Sequence, residues 1–244
     1  MGLSEEYFWF RSRLELIDTL LRAIPTSRKL RILSLGVGTG EELTILKKYG
    51  EVYILDKNDA VLQEIAPDLY KMKIVADVMK TPFSDNFFDL LTAFDVLEHL
   101  PDDNKAVLEF MRVLKPGGFL VLTVPAFPFL YSSHDRKLNH YRRYTIASLR
   151  TLLPGGWEKL GFWGFSLFLP FAIYRLSWKS QPSPRVTYAS LPHFFNYFFY
   201  YILKWEAHCI KYGDFFPWGS SLYGIYRKGV REGRESPFKS LSQK

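Results

Sequence analysis

The chain has 244 residues, of which 48% are hydrophobic, 17% aromatic and 23% charged. This supplies one substantial core, is too short for two full-size domains, and excludes disordered, collagen-like and coiled-coil proteins. The single cysteine, Cys209, excludes an intrachain disulfide and a thiolate metal cage. Because no apolar segment typical of a secretory signal follows Met1, we expect an intracellular, cytoplasmic protein.

The net charge of +7 lies entirely in the second part of the chain. Residues 1–150 hold 20 basic and 20 acidic side chains, whereas residues 151–244 hold 12 basic and 5 acidic ones. Those 94 residues also carry 24 of the 42 aromatic side chains. The neutral residues 1–150 and the basic, aromatic residues 151–244 indicate two different functions. The basic part could bind lipid headgroups, nucleic acid or a phosphorylated substrate.

The first part of the chain alternates between short apolar runs and helical periodicity. Apolar residues at steps of three and four predict a helix over 5–24. The apolar run 30–35 ends at Gly36 and predicts a buried strand, a tight turn and a helix from about Thr39. Further strands are predicted at 52–55, 73–76, 88–93 and 119–124, with helices at 59–66 and 103–114.

The remaining elements complete an α/β fold. Residues 115–118 are predicted to close the preceding helix, 125–144 to form a loop, 145–153 a helix, and 157–165 and 221–228 the last two strands. This order predicts a Rossmann-like, seven-stranded, mostly parallel, doubly wound sheet with an aromatic, helical insertion between the last two strands. The predicted regions are an N-terminal helix or lid (1–29), a core (30–165 and 219–230), the insertion (166–218) and a flexible tail (231–244).

A glycine-rich turn after the first strand is the strongest functional signal. Gly36, Gly38 and Gly40 let backbone N–H groups approach a ligand at the start of a helix. Asp56 ends the next strand, where a carboxylate can accept both ribose hydroxyls of a nucleoside. Glu41 stands where a dinucleotide-binding turn needs its third glycine, so we expect a nucleoside cofactor with a short zwitterionic tail. The alternative is a purely structural turn.

The end of the third strand supplies a second polar position. Asp77 can accept from an adenine amine, and the backbone N–H of Val78 can donate to a ring nitrogen. The alternative role for Asp77 is that of a helix-capping or turn residue.

Five segments together resemble the class I S-adenosylmethionine-dependent methyltransferases. They are Leu33–Gly40, Asp56, Ala76–Val78, Phe94–His99 and Arg112–Gly118. The small-molecule branch with the quinone-biosynthesis enzymes is the most similar. The resemblance implies S-adenosylmethionine as cofactor, and implies Lys57, Phe94 and Asp95 as further cofactor-binding residues. Ser34 departs from the pattern, because many relatives have an acidic residue there that helps to hold the cofactor's amino group.

The flanks resemble a narrower subset of these enzymes. The segments are residues 6–13, with an aromatic-aromatic-Phe-x-x-Arg pattern, residues 134–145 and residues 216–222. Members of this subset are met in settings of glycan or lipid-linked saccharide modification. The resemblance therefore implies a small-molecule or lipid-linked acceptor without identifying it.

Methyl transfer to a hydroxyl group needs a proton acceptor beside the acceptor site. The candidates are His99, His134 and His140, with Asp135 orienting a histidine or accepting the proton itself. His99 could instead be a packed residue at a helix end, and residues 140–144 could form a structural network. Arg142 and Arg143 could also bind a phosphate on the acceptor.

The N-terminal helix offers one more candidate. Arg11 could reach the cofactor carboxylate while the aromatic residues 7–9 cover the site. The alternative is a solvated arginine beside an apolar helix face.

Residues 186–203 contain no Lys, Arg, Asp or Glu and are rich in Phe and Tyr. Polar residues within this stretch argue against a membrane span, whereas its basic flanks suit an interfacial contact with anionic lipid through 162–218. A buried subdomain or a dimer interface is the alternative. If Glu206 is buried there, we expect a partner such as an arginine.

Two other functions remain open from the sequence. The basic back could serve an RNA methyltransferase, although the interleaved apolar residues make nucleic acid a poor candidate for a partner. The second alternative is a non-catalytic, methyltransferase-like binding protein. The glycine turn, Asp56 and Asp77 argue against it.

Overall fold

The computed structural model describes residues 7–177, 179, 191–213 and 216–229. Seven strands form one sheet in the order β3-β2-β1-β4-β5-β7-β6. They are β1 (Leu30–Leu35), β2 (Gly50–Asp56), β3 (Met72–Val75), β4 (Phe88–Phe94), β5 (Leu114–Pro125), β6 (Trp157–Trp163) and β7 (Ser221–Arg227). The pairs β1–β2, β1–β4, β2–β3 and β4–β5 are parallel, which confirms the predicted Rossmann-like α/β fold.

Eight α-helices connect and flank these strands within the described residues. They are α1 (Phe8–Arg22), α2 (Leu43–Leu46), α3 (Asp59–Glu64), α4 (Asp103–Val113), α5 (Ser133–Lys137), α6 (Ile146–Leu152), α7 (Phe168–Ser177) and α8 (His193–Lys211). Helices α7 and α8 lie in the predicted insertion. Residues 180–190 of that insertion and residues 230–244, which include the predicted tail, lie outside the described residues.

The centre of the sheet is apolar on both faces. Every residue of β4 is buried, and in β1 only Arg31 is not. Helices on both sides of a parallel sheet remove both of its faces from water, which is why these strands are continuous apolar runs rather than alternating ones. The strand ends that carry the candidate site are therefore fixed by the most buried part of the chain.

Two predicted boundaries were wrong. Residues 115–118 do not form a turn that closes α4, because β5 already begins at Leu114, which pairs with Phe88. The register of the β4–β5 pair then shifts between Phe88 and Leu90. An irregularity in the pairing accommodates the Pro-Gly-Gly sequence within the strand. The helix after the glycine turn begins at Leu43 rather than near Thr39, because the turn continues through Glu42.

The predicted loop 125–144 contains regular structure. Residues Pro128–Leu130 form a short 3-10 helix, and α5 begins after Ser132 with a capping box in which Ser132 and Asp135 satisfy each other's backbone N–H groups. The Ser-x-x-Asp spacing was visible in the sequence, but it has no long apolar run after it to indicate a helix.

The chain divides into two compact units. Unit 2 comprises residues 26–124, 146–160 and 223–244 and contains most of the sheet. Unit 1 comprises residues 1–25, 125–145 and 161–222. Within unit 1, α1 packs against α8, with the rings of Phe8 and Phe199 5.3 Å apart. The predicted division of the chain into lid, core and insertion stays a prediction.

Candidate active site

The glycine turn lies at the carboxyl end of β1 in unit 2. Gly36, Gly38 and Gly40 have φ angles of 64°, 52° and 70°, a left-handed conformation that only glycine adopts without strain. The Gly36 N–H donates to the Leu55 carbonyl at 2.8 Å, which holds the turn against the end of β2. Alternating left-handed and other backbone conformations are also found in anion-binding turns.

The three glycines are required for different reasons. A Cβ atom on Gly36 would lie 2.9 Å from Val96 Cγ2, and one on Gly40 would lie 2.5 Å from Ile65 Cδ1. Those two glycines make room for the protein's own side chains. A Cβ on Gly38 would meet nothing within 4 Å. Gly38 is exposed, so its backbone is the part of this turn that is open to solvent and to a ligand.

Asp56 is the last residue of β2, beside the glycine turn. Leu35 and Leu55 are register partners in the parallel β1–β2 pair, so Asp56 follows directly on the residue opposite the end of β1. Its Oδ1 accepts the Asn58 N–H at 2.9 Å, which orients the carboxylate. The next residue, Lys57, is exposed.

Asp77 and Val78 follow β3. Asp77 Oδ1 accepts the Met79 N–H at 2.8 Å, so this side chain caps a turn as the structural alternative predicted. This contact uses one carboxylate oxygen, and the second is the one that could accept from an adenine amine. Val78 is buried beside it.

Phe94 is the last residue of β4, and Asp95 follows it directly. Asp95 has a φ of 55°, held by a hydrogen bond from its N–H to the Thr123 carbonyl and another from Thr123 Oγ1 to Asp95 Oδ1. A non-glycine residue in this region costs about 1 kcal/mol or more, although aspartate and asparagine adopt it more readily than other residues, and such positions cluster at functional sites. The strained position lies at the same sheet edge as the glycine turn, since β4 pairs with β1 in parallel.

Glu42 is a site residue that the sequence did not single out. It lies at the end of the glycine turn, is buried, and accepts a hydrogen bond from Ser34 Oγ at 3.3 Å. A buried carboxylate therefore contacts the position where many relatives have an acid. The sequence did contain a signal for it: Ser34 lacks the acidic residue of many relatives, and an acidic residue, Glu42, follows eight positions later.

Asp135 is the centre of a buried charge cluster in unit 1. Its side chain is fully buried and contacts Arg143, Arg175, Ser132 and His140. The closest ion pair joins Asp135 Oδ1 to Arg143 Nη2 at 2.7 Å. Burial alone would raise the pKa of the Asp135 carboxyl, but His140 and the two guanidinium groups hold that pKa well below its usual value.

Arg143 is buried in the same cluster. Its guanidinium donates hydrogen bonds to Asp135 Oδ1 and to the Ala126 carbonyl, which connects α5 to the segment directly after β5. His134, next to Asp135, is half-buried, and burial together with the cation of Arg175 lowers its pKa to about 4. His134 is therefore uncharged at pH 7, but a pKa this low also makes it a weak proton acceptor.

The comparisons with known proteins agree with this geometry. Residues 33–122 match the family model described as "Methyltransferase domain". A Mycolicibacterium smegmatis protein named "Probable S-adenosylmethionine-dependent methyltransferase" is 31% identical over 164 residues, 66% of this chain and 62% of the relative. An "Uncharacterized methyltransferase" of Mycobacterium tuberculosis is 30% identical over 160 residues, 64% of this chain and 62% of the relative. The matches thus span less than two thirds of these relatives.

The matched residues 33–122 make up about a third of the chain and contain the glycine turn, Asp56 and Asp77. The family implies S-adenosylmethionine as the cofactor. Solved structures agree on the fold. A SAM-dependent methyltransferase of Thermotoga maritima has a TM-score of 0.58 at 16% identity and covers 91% of this chain and 90% of its own. A Haemonchus contortus phosphoethanolamine N-methyltransferase has a TM-score of 0.57 at 17% identity and covers 88% of this chain and 52% of its own.

The residues of the methyltransferase domain fit this cofactor. The open space beside Gly38 would be filled by any side chain, and Asp56 and Asp77 offer carboxylates to hydroxyl and amine donors. Glu42 offers a further carboxylate to a cationic amino group. The quinone-biosynthesis branch and the aromatic-Phe-x-x-Arg subset stay predictions.

Two remaining candidates have well-defined surroundings. His99 ends a short 3-10 helix, Leu97–His99, and its N–H donates to the Val96 carbonyl, as expected for a residue at a helix end. The Arg11 guanidinium lies 4.2 Å from the ring centre of Tyr200 and 5.4 Å from that of Tyr197. Arg11 therefore stacks on α8 within unit 1. Its predicted contact with the cofactor stays a prediction.

Glu206 corrects one expectation. It is fully buried, as anticipated, but the partners shown for its carboxylate are backbone N–H groups rather than an arginine. It accepts from Gly164, Phe165 and Ser166 at 2.9, 3.0 and 2.7 Å. Three donors satisfy a buried carboxylate without a counter-ion side chain, and they fix the chain after β6 on α8.

Proposed function

We propose that this protein is a methyltransferase that transfers the methyl group of S-adenosylmethionine to an oxygen nucleophile on a small or lipid-linked acceptor. The observation that carries the proposal is the open backbone at Gly38 beside Asp56, within a domain that matches the methyltransferase family. When bound, the cofactor supplies an activated methyl group. The protein must then orient the acceptor, exclude water and accept a proton.

We assign the roles of the chain's residues as follows. Backbone N–H groups of the glycine turn bind the carboxylate of the cofactor's amino-acid end, and Glu42 accepts from its amino group. Asp56 accepts from the ribose hydroxyls, and Asp77 and Val78 bind the adenine. We assign His134 as the proton acceptor for the acceptor hydroxyl because it is an uncharged imidazole next to Asp135, although its pKa of about 4 makes it a weak base.

The proposal is tested by supplying the protein with S-adenosylmethionine that carries a deuterated methyl group, together with separate lipid and water-soluble extracts of source cells. We expect titration calorimetry to show binding of the cofactor and of its demethylated product. Mass spectrometry should find the label on a small molecule in one of the two extracts. Absence of cofactor binding would contradict the proposal and favour a non-catalytic binding protein. In a parallel reaction with added RNA, label in the RNA would favour the RNA methyltransferase alternative.

Replacing Asp56 by alanine should weaken cofactor binding without unfolding the protein. The lost contacts are hydrogen bonds to a charged group, worth about 1.5–3 kcal/mol, which corresponds to a roughly 10- to 150-fold higher Kd. Asp59→Ala is the matched control, because Asp59 is also a carboxylate but bonds Gln63 on the surface of α3. Calorimetry should show a near-normal Kd for this control, and equal effects of the two variants would remove Asp56 from the site.

Replacing His134 by alanine should lower kcat by about 10²-fold, the lower end of the range for a positioned proton acceptor, because a pKa of about 4 makes it a weak base. The Kd for S-adenosylmethionine should stay unchanged. Because the His134 pKa is about 4, wild-type turnover should stay level through the usual histidine range and fall only below it. Lys137→Ala, an exposed change on the same helix, is the control. Parallel losses of kcat and cofactor affinity would reassign His134.

A further inference from the structure

Helix α8 carries a row of exposed aromatic side chains along one face. Phe194 and Tyr212, at its two ends, are 74% and 69% exposed, and Phe198, Tyr201 and Trp205 between them are also largely exposed. Their spacing of four, three and four residues, with His208 continuing the row, places them on one stripe of the helix. We call residues 194, 198, 201, 205 and 212 the aromatic stripe. Monomeric proteins rarely leave such a contiguous apolar surface in water.

The opposite face of α8 is already occupied. Tyr200, Leu203, Ala207 and Ile210 are buried, and α1 packs against this helix. Glu206 anchors the same helix through the three backbone N–H groups of residues 164–166. Because contacts on its inner face fix α8 within unit 1, the helix cannot rotate to bury the stripe without breaking them.

A second helix of the same unit repeats this pattern. On α7, Leu169, Ile173 and Leu176 are spaced by four and three residues, and the first two are 65% and 66% exposed. Two helices of unit 1 thus each present an apolar stripe at helical spacing. Among the described residues, no helix is both long and apolar enough to cross a membrane.

The exposed charged residues of α8 itself are of one sign. The one acidic residue of α8, Glu206, is buried, whereas both lysines of the helix, Lys204 and Lys211, are at its surface. Lys204 also contacts Glu15 on α1. Tyrosine and tryptophan place an apolar ring and a polar tip at a lipid–water boundary, and lysine stems extend beside them to reach headgroups.

We propose that the aromatic stripe docks unit 1 onto the surface of a bilayer that contains anionic lipids. Cations at the edge of an apolar face complement anionic headgroups. Pairing α8 with α8 of a second copy would bring together two helices whose exposed charged residues are lysines, of which Lys204 is already paired with Glu15 of α1; such a dimer is therefore an outcome of the test. The inference is independent of the methyl-transfer proposal, because membrane binding needs neither cofactor nor acceptor.

The test measures co-sedimentation of the full chain with phosphatidylcholine vesicles that contain or lack phosphatidylglycerol. We expect binding to the anionic vesicles that decreases with added salt, and at least a tenfold loss in the double variant Phe198→Ser/Trp205→Ser. The matched control is Phe129→Ser/Tyr141→Ser, which removes two exposed aromatic side chains of unit 1 outside α7 and α8. Circular dichroism and cofactor calorimetry verify that both variants are folded.

Three results would overturn the inference. One is no binding to anionic vesicles by the wild type. Another is equal binding by the stripe variant and the wild type. The third is a wild-type dimer in analytical ultracentrifugation that the stripe variant abolishes, which would assign the stripe to a second copy of the chain.

Discussion

A valine at position 38 should abolish measurable binding of S-adenosylmethionine while the protein remains folded. The Cβ of this residue enters space that no other part of the described chain occupies, so the side chain displaces the ligand rather than a neighbour. Losing the charge-assisted contacts of the turn should raise the Kd by about 100-fold or more. The left-handed φ of 52° adds a folding cost of about 1–2 kcal/mol. Titration calorimetry and thermal unfolding measure the two effects separately.

Gly155→Val is the control for backbone strain alone. Gly155 has a φ of 71°, and a Cβ there also meets nothing within 4 Å, but it lies in the turn between α6 and β6. This variant should lose similar stability and keep its affinity for the cofactor. Gly40→Ala should behave in the opposite way and mainly destabilise the fold, because its Cβ would press on Ile65. A normal Kd in Gly38→Val would show that the cofactor does not approach this turn.

Replacing Asp135 by alanine should destabilise the protein by about 3–5 kcal/mol, because the buried guanidinium groups of Arg143 and Arg175 lose their counter-ion. For a chain of this length the Tm should fall by about 6–20 °C. Asp18→Ala is the matched control, since Asp18 pairs with the mostly exposed Arg22 and should change stability by less than about 1 kcal/mol. If the alanine variant does not fold, Asp135→Asn tests the loss of charge with the shape retained.

The pH dependence of this effect has a defined sign. The Asp135 pKa is lower in the folded protein than its usual value of 3.8, so the carboxylate stabilises the fold above about pH 4 and loses this contribution as the pH falls below it. The difference in Tm between the wild type and Asp135→Ala should therefore be constant near neutrality and shrink in acid. A variant with normal stability and no turnover would instead make Asp135 a catalytic residue.

Local patterns predicted the cofactor half of the candidate site. The run Leu30–Leu35, the three glycines and Asp56 lie within 27 residues, and each has one physical reading: a buried strand, a left-handed turn and a strand end. Because parallel strands end at the same edge of a sheet, the order of elements alone brought Gly38 and Asp56 together. The same information could not reveal Glu42, because its burial depends on how the turn folds over Ser34.

For the aromatic helix α8, the sequence left the orientation undetermined. The sequence indicated that Phe194–Leu203 is apolar, but an all-round apolar helix gives no signal for which face is buried. The contact of α1 with α8 and the anchoring of Glu206 decided that Leu203 and Ala207 face inward and the aromatic stripe faces outward.

The sequence by itself thus determined the α/β fold and the glycine turn and indicated the resemblance to methyltransferases, because strand periodicity and turn chemistry are properties of neighbouring residues. Only the tertiary structure decided that β5 begins at Leu114, that Asp135 is a buried counter-ion and that Glu206 binds backbone N–H groups. These features depend on partners up to 42 residues away, which the tertiary fold brings within hydrogen-bonding distance. The burial of the Asp135 and Glu206 carboxylates determines which partners they need, and burial is a property of the whole fold.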